Sequence, residues 1–239
     1  MTLVTAATTT AIRVQNVRQQ ARNLAAKCEA GVGAPTRQQI SQLQACVAEY
    51  IDSFDAVCHP LGFLCLELFR DATRSVRLHL WCRVPEGPEI VHSHDFDMSS
   101  VVVAGSLINS VYELAAGAGV IPLLDIEYTD AGEVLKPSGA QVGCRCVASQ
   151  TLYPCQTYRV RAGQFHSVRP RGRLPAATFV STRRVASCIG QVLAYAGMNE
   201  ATAARSSCSR EEKLAALHLL MEGAPDFVAG PSLPARGRA

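Results

Sequence analysis

Between residues 62 and 182 the chain falls into short runs rich in β-branched and aromatic residues, divided by Gly and Pro, with no helical periodicity between them. Segments 63–69, 76–81, 99–104, 107–114, 123–128, 141–148, 157–161 and 177–181 all read as strands. Strands that follow one another without intervening helices cannot build a doubly wound parallel sheet. They point instead to a sandwich, a jelly roll or a small barrel, in which two sheet faces bury each other. Residues 76–81 alternate strictly, Val76, Leu78 and Leu80 against Arg77, His79 and Trp81, so that strand has two chemically different faces.

Helical periodicity is confined to the two ends. Residues 35–54 place Ile40, Leu43, Val47, Ile51 and Phe54 at steps of three and four, with Pro35 suited to a first turn. Residues 10–30 read as an earlier helix ended by Gly31 and Gly33. Helical character returns at 185–198 and again after Ser209, where Ser209 and Glu212 have capping-box spacing. There Leu214, Leu217, Leu220 and Met221 form an apolar stripe stopped by Gly223. The expected organisation is an N-terminal helical segment at 1–61, a β domain at 62–182, C-terminal helices at 183–224 packed on it, and a disordered tail at 225–239.

Composition removes several function classes. Apolar residues make up 48% of the chain, enough for a sizeable core. A net charge of +3, from 23 basic and 20 acidic side chains dispersed along the chain, is no nucleic-acid footprint. Arg169, Arg171, Arg173, Arg183 and Arg184 lack interleaved aromatics and read as a solvated face. The ten cysteines are scattered among apolar neighbours, as at Cys65, Cys82 and Cys188, and read as buried thiols. Cys144 and Cys146 share a spacing of two, but without a second pair this is strand alternation. With neither a secretory leader nor a membrane-length apolar run, the expectation is a reduced cytoplasmic chain.

Three of the six histidines stand in a pattern. Positions i and i+2 of a strand point the same way, so His92 and His94 reach one metal ion from one extended segment. His166, three residues beyond Gly163, supplies a third imidazole from a later strand. A metal held by three neutral imidazoles keeps open positions for water or substrate, which suits catalysis. His59, His79 and His218 read as structural, with His79 on a surface or between sheets. Tyr112, Tyr128, Tyr153 and Tyr158 are proton donors of unfixed parity, and Glu113 and Glu127 read as solvated.

These residues carry a resemblance. Gly87, His92, His94 and Gly105, followed by Gly163 and His166, resemble the two motifs of the cupin superfamily over residues 62–182. Four residues rather than five separate Gly87 from His92, and Arg161 stands where the second motif has proline. The resemblance implies a mainly β fold, the double-stranded β-helix or jelly-roll barrel, here with N- and C-terminal α-helices. Where the family's glutamate ligand is expected, Met98 and Ser99 cannot replace it, which leaves three histidines. Asp97 is one residue early and of opposite parity, so it faces away unless a bulge turns it. It otherwise stands beside the metal or shapes a turn with Asp95.

Three-histidine cupins are similar to thiol dioxygenases, and residues 78–81 and 105–109 resemble that family's core. Arg70 falls near, though not at, the place of that family's carboxylate-binding arginine. Ser99 occupies the place of a crosslinking cysteine, and residues 178–183 lack the family's His and Tyr. What the resemblance implies is a metal-dependent oxygenase that uses iron(II) and O2 on a small amino-acid-like or carboxylate substrate. Arg70, Asp97 and Ser99 are its catalytic candidates and His92, His94 and His166 its metal ligands. Zinc, manganese and nickel are the other metals. Two alternatives stay open. One is a non-redox metal cupin, an isomerase, a lyase or a rearrangement of an amino-acid-derived intermediate in biosynthesis. The other is a non-enzymatic small-molecule-binding cupin. Neither nucleic acid nor membrane is an expected partner, and a homodimer is compatible with the sequence.

Overall fold

The computed structural model describes residues 2–30, 35–59, 61–82, 89–129, 132–172, 175–194, 202–203 and 206–222. Gly31, Gly33, Pro60, Gly87, Gly223 and the stretch 225–239 lie outside them.

Two helices open the chain, α1 (Thr2–Ala30) and α2 (Arg37–Glu49), followed by a 3-10 turn at Ile51–Ser53. In α1 the buried side chains are Val14, Val17, Ala21, Leu24, Ala25 and Cys28, one stripe at helical spacing. The start of α2 is set by Thr36 rather than Pro35. The Thr36 hydroxyl accepts from the Gln39 amide, and the Gln39 side chain accepts from the Thr36 amide, a full capping box. Ile40, Leu43, Val47, Ile51 and Phe54 are all buried, as their spacing predicts.

The strands are β1 (Ala56–Cys58), β2 (Phe63–Arg70), β3 (Arg74–Trp81), β4 (Phe96–Ala104), β5 (Leu107–Thr129), β6 (Gly132–Leu152), β7 (Thr157–Val160), β8 (Phe165–Pro170), β9 (Ala176–Arg184), β10 (Gly190–Leu193), β11 (Thr202–Ala203) and β12 (Ser206–Ser207). Helix α3 (Arg210–Glu222) follows, its capping box between Ser209 and Glu212 formed in both directions. One sheet runs β12-β1-β2-β3-β9-β4-β7 and the other β10-β5-β6-β11, with β8 also paired to β5. All strand pairings among the described residues are antiparallel, so the fold is mainly β, two antiparallel sheets with helices at both ends of the chain. No helix among the described residues is long and apolar enough to cross a membrane.

Two expectations about elements are corrected. Segments 107–114 and 123–128 are one strand, β5, because β6 tracks it as a hairpin partner from Leu107↔Leu152 to Thr129↔Gly132 and absorbs the irregular middle in register shifts. The segment 185–198 does not open as a helix. Its residues Gly190–Leu193 form β10, paired to β5 from Gly190↔Ile126 to Leu193↔Leu123. A short apolar run that is buried has no period to distinguish strand from helix, and here the partner strand decides.

The seven-stranded sheet has its hydrophobic face outward, under the helices. Leu64, Leu66 and Leu68 of β2, Val76, Leu78 and Leu80 of β3, and Phe179 of β9 pack with α1 and α2 in one core. The opposite face looks into the space between the sheets. There Phe63, Cys65, Trp81, Met98, Val102, Tyr158 and Val180 form a second core. Beside that core lies a cavity of about 410 Å³ that reaches Arg77, His79 and all three histidines of the motif. His79 thus sits between the sheets.

Candidate metal centre

The segment carrying His92 and His94 is extended but is not part of a long strand. His92 forms an isolated bridge to His166 of β8 on one side and to Val192 of β10 on the other. The His92 amide donates to the His166 carbonyl at 2.9 Å, and the His166 amide returns the bond at 2.8 Å. Ser93 donates to the Gln191 carbonyl at 2.7 Å and Leu193 to the Val91 carbonyl at 3.0 Å. These two-sided ladder bonds fix the segment as rigidly as a sheet interior. Gly163 explains the second half of the motif. At φ +75° it makes a turn that favours glycine, and its amide donates to the His94 carbonyl at 2.9 Å. One turn thereby sets both the entry into β8, hence His166, and the backbone of His94.

The three imidazoles converge, and their ligand nitrogens all lie within 4.8 Å of one another. His94 Nε2 and His166 Nε2 are 3.1 Å apart. Two nitrogens each about 2.1 Å from one ion and at right angles to each other stand about 3.0 Å apart, so this pair fits a shared cation. The outer nitrogens are fixed by hydrogen bonds. His166 Nδ1 lies 3.1 Å from Asn109 Oδ1, and His92 Nδ1 lies 3.2 Å from the Ile90 carbonyl oxygen. Both acceptors require the Nδ1–H tautomer and so leave Nε2 as the lone-pair donor. His94 stacks on Phe96, ring centroids 4.4 Å apart.

Electrostatics favours neutral rings. Burial holds His92 below the usual imidazole range, against the hydrogen bond to Ile90. Burial also holds His166 well below that range, with the neighbouring His92 adding to the effect. His94 is lowered most by burial, then by His92, His166, His59 and Arg77. Neutral imidazoles are the form that ligates, so the donor set fits a divalent metal of imidazole preference such as iron, zinc or nickel.

The other predicted site residues are not brought to this cluster. Asp97 is exposed on the face opposite the histidines, and its Oδ1 accepts from the Ala162 amide at 2.9 Å, bracing the 161–164 turn. No bulge reverses its parity; β4 and β9 stay in register there, Asp97 opposite Arg183. Ser99 shares that parity and lies opposite Ser181 on the helix-covered face. Arg70 stands at the cavity rim with its fork closed on Glu67 by bonds of 2.8 and 2.6 Å. Cys144 and Cys146 meet no third ligand among the described residues. Glu113 and Glu127 are spent on the exposed pairs with Arg145 and Lys136.

Residues assigned no role in the site from the sequence complete it. Arg77 lines the cavity, its side chain only 16% exposed and its Nε 4.0 Å from Glu67, too far for a hydrogen bond. Tyr158 lines the same cavity, and burial pushes its phenol up to about 12. Asp95, next to His94, is buried and ion-paired with Arg184 at 3.2 Å. The alternation of residues 76–81 held the signal for Arg77, since it shares parity with Trp81. Which face turned inward was not readable without the helices.

Compared with family models and with curated proteins, the chain matches none. Solved structures that it resembles include the cupin domain of Schizosaccharomyces pombe Cnp3, at 10% identity over 52% of this chain and 66% of that one, TM-score 0.33. Hydroxypropylphosphonic acid epoxidase from S. wedmorenis is similar at 7% identity over 54% and 55%, TM-score 0.35. Hydroquinone 1,2-dioxygenase from Sphingomonas sp. TTNP3 is similar at 13% identity over 50% and 65%, TM-score 0.30. The chain spans less than two thirds of the length of each. Likenesses this distant add no weight of their own. Two antiparallel sheets, the turn at Gly163 and the three converging histidines are the features that the sequence resemblance implies.

Proposed function

We propose that the protein is a metal-dependent enzyme that binds a small carboxylate-bearing substrate in the inter-sheet cavity, beside a metal held by His92, His94 and His166. We further propose iron(II) as the metal and O2-dependent oxygenation as the reaction. The observation that carries the substrate class is Arg77, a half-buried cation lining the same cavity as the imidazoles and held to Glu67 by a long ion pair of 4.0 Å. A buried guanidinium presents a planar fork matched to a carboxylate, and a partner arriving with the substrate repays its desolvation.

Each residue has a stated task. Asn109 holds the proton on His166 Nδ1, and the Ile90 carbonyl does the same for His92. Arg77 fixes the substrate carboxylate. Tyr158 keeps its proton at neutral pH and donates it in a hydrogen bond to a substrate oxygen. Phe63, Trp81 and Met98 close the apolar end and exclude water. When bound, the metal supplies open coordination positions and, as iron(II), the one-electron chemistry that O2 activation needs.

Tyr158 also favours a second reading, a non-redox isomerase or lyase with the metal as Lewis acid, because a phenol that stays protonated in the cavity can hydrogen-bond a developing oxyanion. Anaerobic purification, elemental analysis and O2 uptake with a panel of amino-acid-derived carboxylates separate the two. Stoichiometric iron that is lost in His166→Ala, together with substrate-dependent uptake, is the expected result. Turnover of a carboxylate without uptake selects the Lewis acid. Metal content unchanged in a folded His166→Ala protein refutes the centre itself.

A further inference from the structure

A second cluster with ligand chemistry lies away from the three histidines, where β1 meets the start of α3. Cys58 is the last residue of β1, and Cys208 stands between β12 and α3. Cys58 is opposite Ser206 in the β1–β12 pair, so Cys208, two residues on, emerges on the same face one diagonal step away. Their Sγ atoms are 2.9 Å apart. Glu212, in the first turn of α3, brings a carboxylate oxygen into the group, and the three ligand atoms all lie within 4.8 Å of one another. We propose that Cys58, Cys208 and Glu212 form a second metal site, structural rather than catalytic, for a thiolate-preferring divalent cation of the zinc class. Water fills the fourth position.

The cluster gathers three ligand groups of anionic character around one point, with Lys213 as the nearby cation. Deprotonated, its members are three mutually repelling anions. Protonated, the thiols are weak donors beside a carboxylate that also accepts from the Ser209 amide. A divalent cation reverses this balance: both thiol protons leave to solvent, two metal–sulfur bonds form, and the carboxylate gains a ligand partner. Two thiolates, one carboxylate and a dication sum to one net negative charge at the N-terminal end of α3, the sign that the helix dipole stabilises.

A disulfide is the rival use of paired thiols, and the register disfavours it. Diagonal neighbours on an antiparallel pair have Cα atoms about 7–8 Å apart, beyond the roughly 4.4–6.8 Å that a disulfide usually spans. A zinc ion with bonds of about 2.3 Å holds two sulfurs about 3.8 Å apart, which small χ1 adjustments reach without moving backbone. The site also has a mechanical purpose. It would fasten α3 to β1 beside the two contacts already there, Lys213 to the Phe54 carbonyl at 2.9 Å and Arg210 to Asp52 at 2.9 Å.

The test is a cobalt(II) titration of the chelator-stripped full-length protein under reducing conditions. The expected result is a metal equivalent with thiolate-to-cobalt charge-transfer absorbance, displaced by zinc. That absorbance persists in His166→Ala and vanishes in Cys58→Ser and in Cys208→Ser. Should either serine variant fail to fold, alkylation of the wild type read by mass spectrometry replaces it. Zinc is expected to protect Cys58 and Cys208 at least tenfold relative to exposed Cys146. Folded wild type without the charge-transfer band, or zinc that leaves both thiols equally reactive, overturns the proposal. So does a Cys58–Cys208 disulfide that forms at ambient oxygen and resists bound zinc. Because His166→Ala leaves this site intact, its failure and that of the three-histidine centre are read separately.

Discussion

Asn109 offers the sharpest test of how the three-histidine centre is built. The residue is 2% exposed and His166 1%, so their 3.1 Å contact is shielded from water. The two states of the site need it differently. With metal on Nε2, His166 must keep its proton on Nδ1, and in Asn109→Ala that N–H is buried without an acceptor. Such an orphan costs about 1–3 kcal/mol. Without metal, His166 moves the proton to Nε2 and shares it with His94 Nε2, 3.1 Å away. The penalty therefore falls mainly on the metal-bound form, and affinity should drop about 10–100-fold, as for other partners of ligating histidines. Competition against a chelator, under argon for iron(II) and in air for zinc, measures it, with Cys58 replaced by serine so that only this centre titrates. Denaturant unfolding of the metal-free protein supplies the control. Asn109→Asp, which restores an acceptor and adds charge, should recover most of the affinity. Asn109→Ala binding within twofold of wild type would refute the tautomer argument. An equal loss in affinity and in metal-free stability would reduce Asn109 to a packing residue.

Arg77→Leu should raise KM for carboxylate substrates at least tenfold while metal content stays at the wild-type level, and an unchanged KM would remove the substrate assignment. Gly105 closes the β4–β5 turn at φ +66°, and a Cβ there would sit 2.5 Å from the Pro175 carbonyl oxygen and 2.8 Å from Ala176 Cα. Gly105→Ala should therefore cost about 2 kcal/mol or more in unfolding free energy, and an unshifted thermal midpoint would contradict the turn. Tyr158 tests burial in the cavity wall. Its folded pKa is raised to about 12 from an ordinary 10, so its stabilisation is complete below pH 10 and lost as pH rises from 10 to 12. The loss is about 2–3 kcal/mol. Ultraviolet titration should show one phenol ionising near pH 12, and Tyr158→Phe should remove both that step and the matching alkaline fall in stability.

What could be read from the sequence follows from the range of the interactions involved. The histidine trio was legible because each part is local. His92 and His94 share parity, and the Gly163 turn sets His166 three residues later. Thr36 was missed as a cap only because Pro35 also suits a helix start. The β10 segment was misread because what makes it a strand is far away in the chain: Ile126 and Leu123 of β5, and the Val91 carbonyl that takes the Leu193 amide. Asp97 was placed on the outward face by parity, and the β4–β9 register, continuous from Phe96 to Val102, keeps it there. Arg70 drew attention as an arginine near the right place, yet Glu67, which faces Arg77 across the β2–β3 pair, closes its fork.

The deeper reason that Arg77 escaped notice is the inversion of the seven-stranded sheet. In most two-sheet folds the apolar face of each strand turns toward the other sheet. Here Leu64, Leu66, Val76, Leu78, Leu80 and Phe179 turn outward instead and are covered by α1 and α2. That outer core carries much of the burial that holds the sheet. The face between the sheets is left to the smaller second core and to a cavity lined by Arg77, His79, Tyr158 and three imidazoles. The same inversion accounts for buried polar atoms that lack a hydrogen-bond partner there, Trp81 Nε1 and Thr178 Oγ1. An interior face tuned for ligands tolerates such groups because stability is secured on the other side. Helices at the two ends of the chain are thus part of the chemistry: by taking the hydrophobic face they leave the inner one to the site.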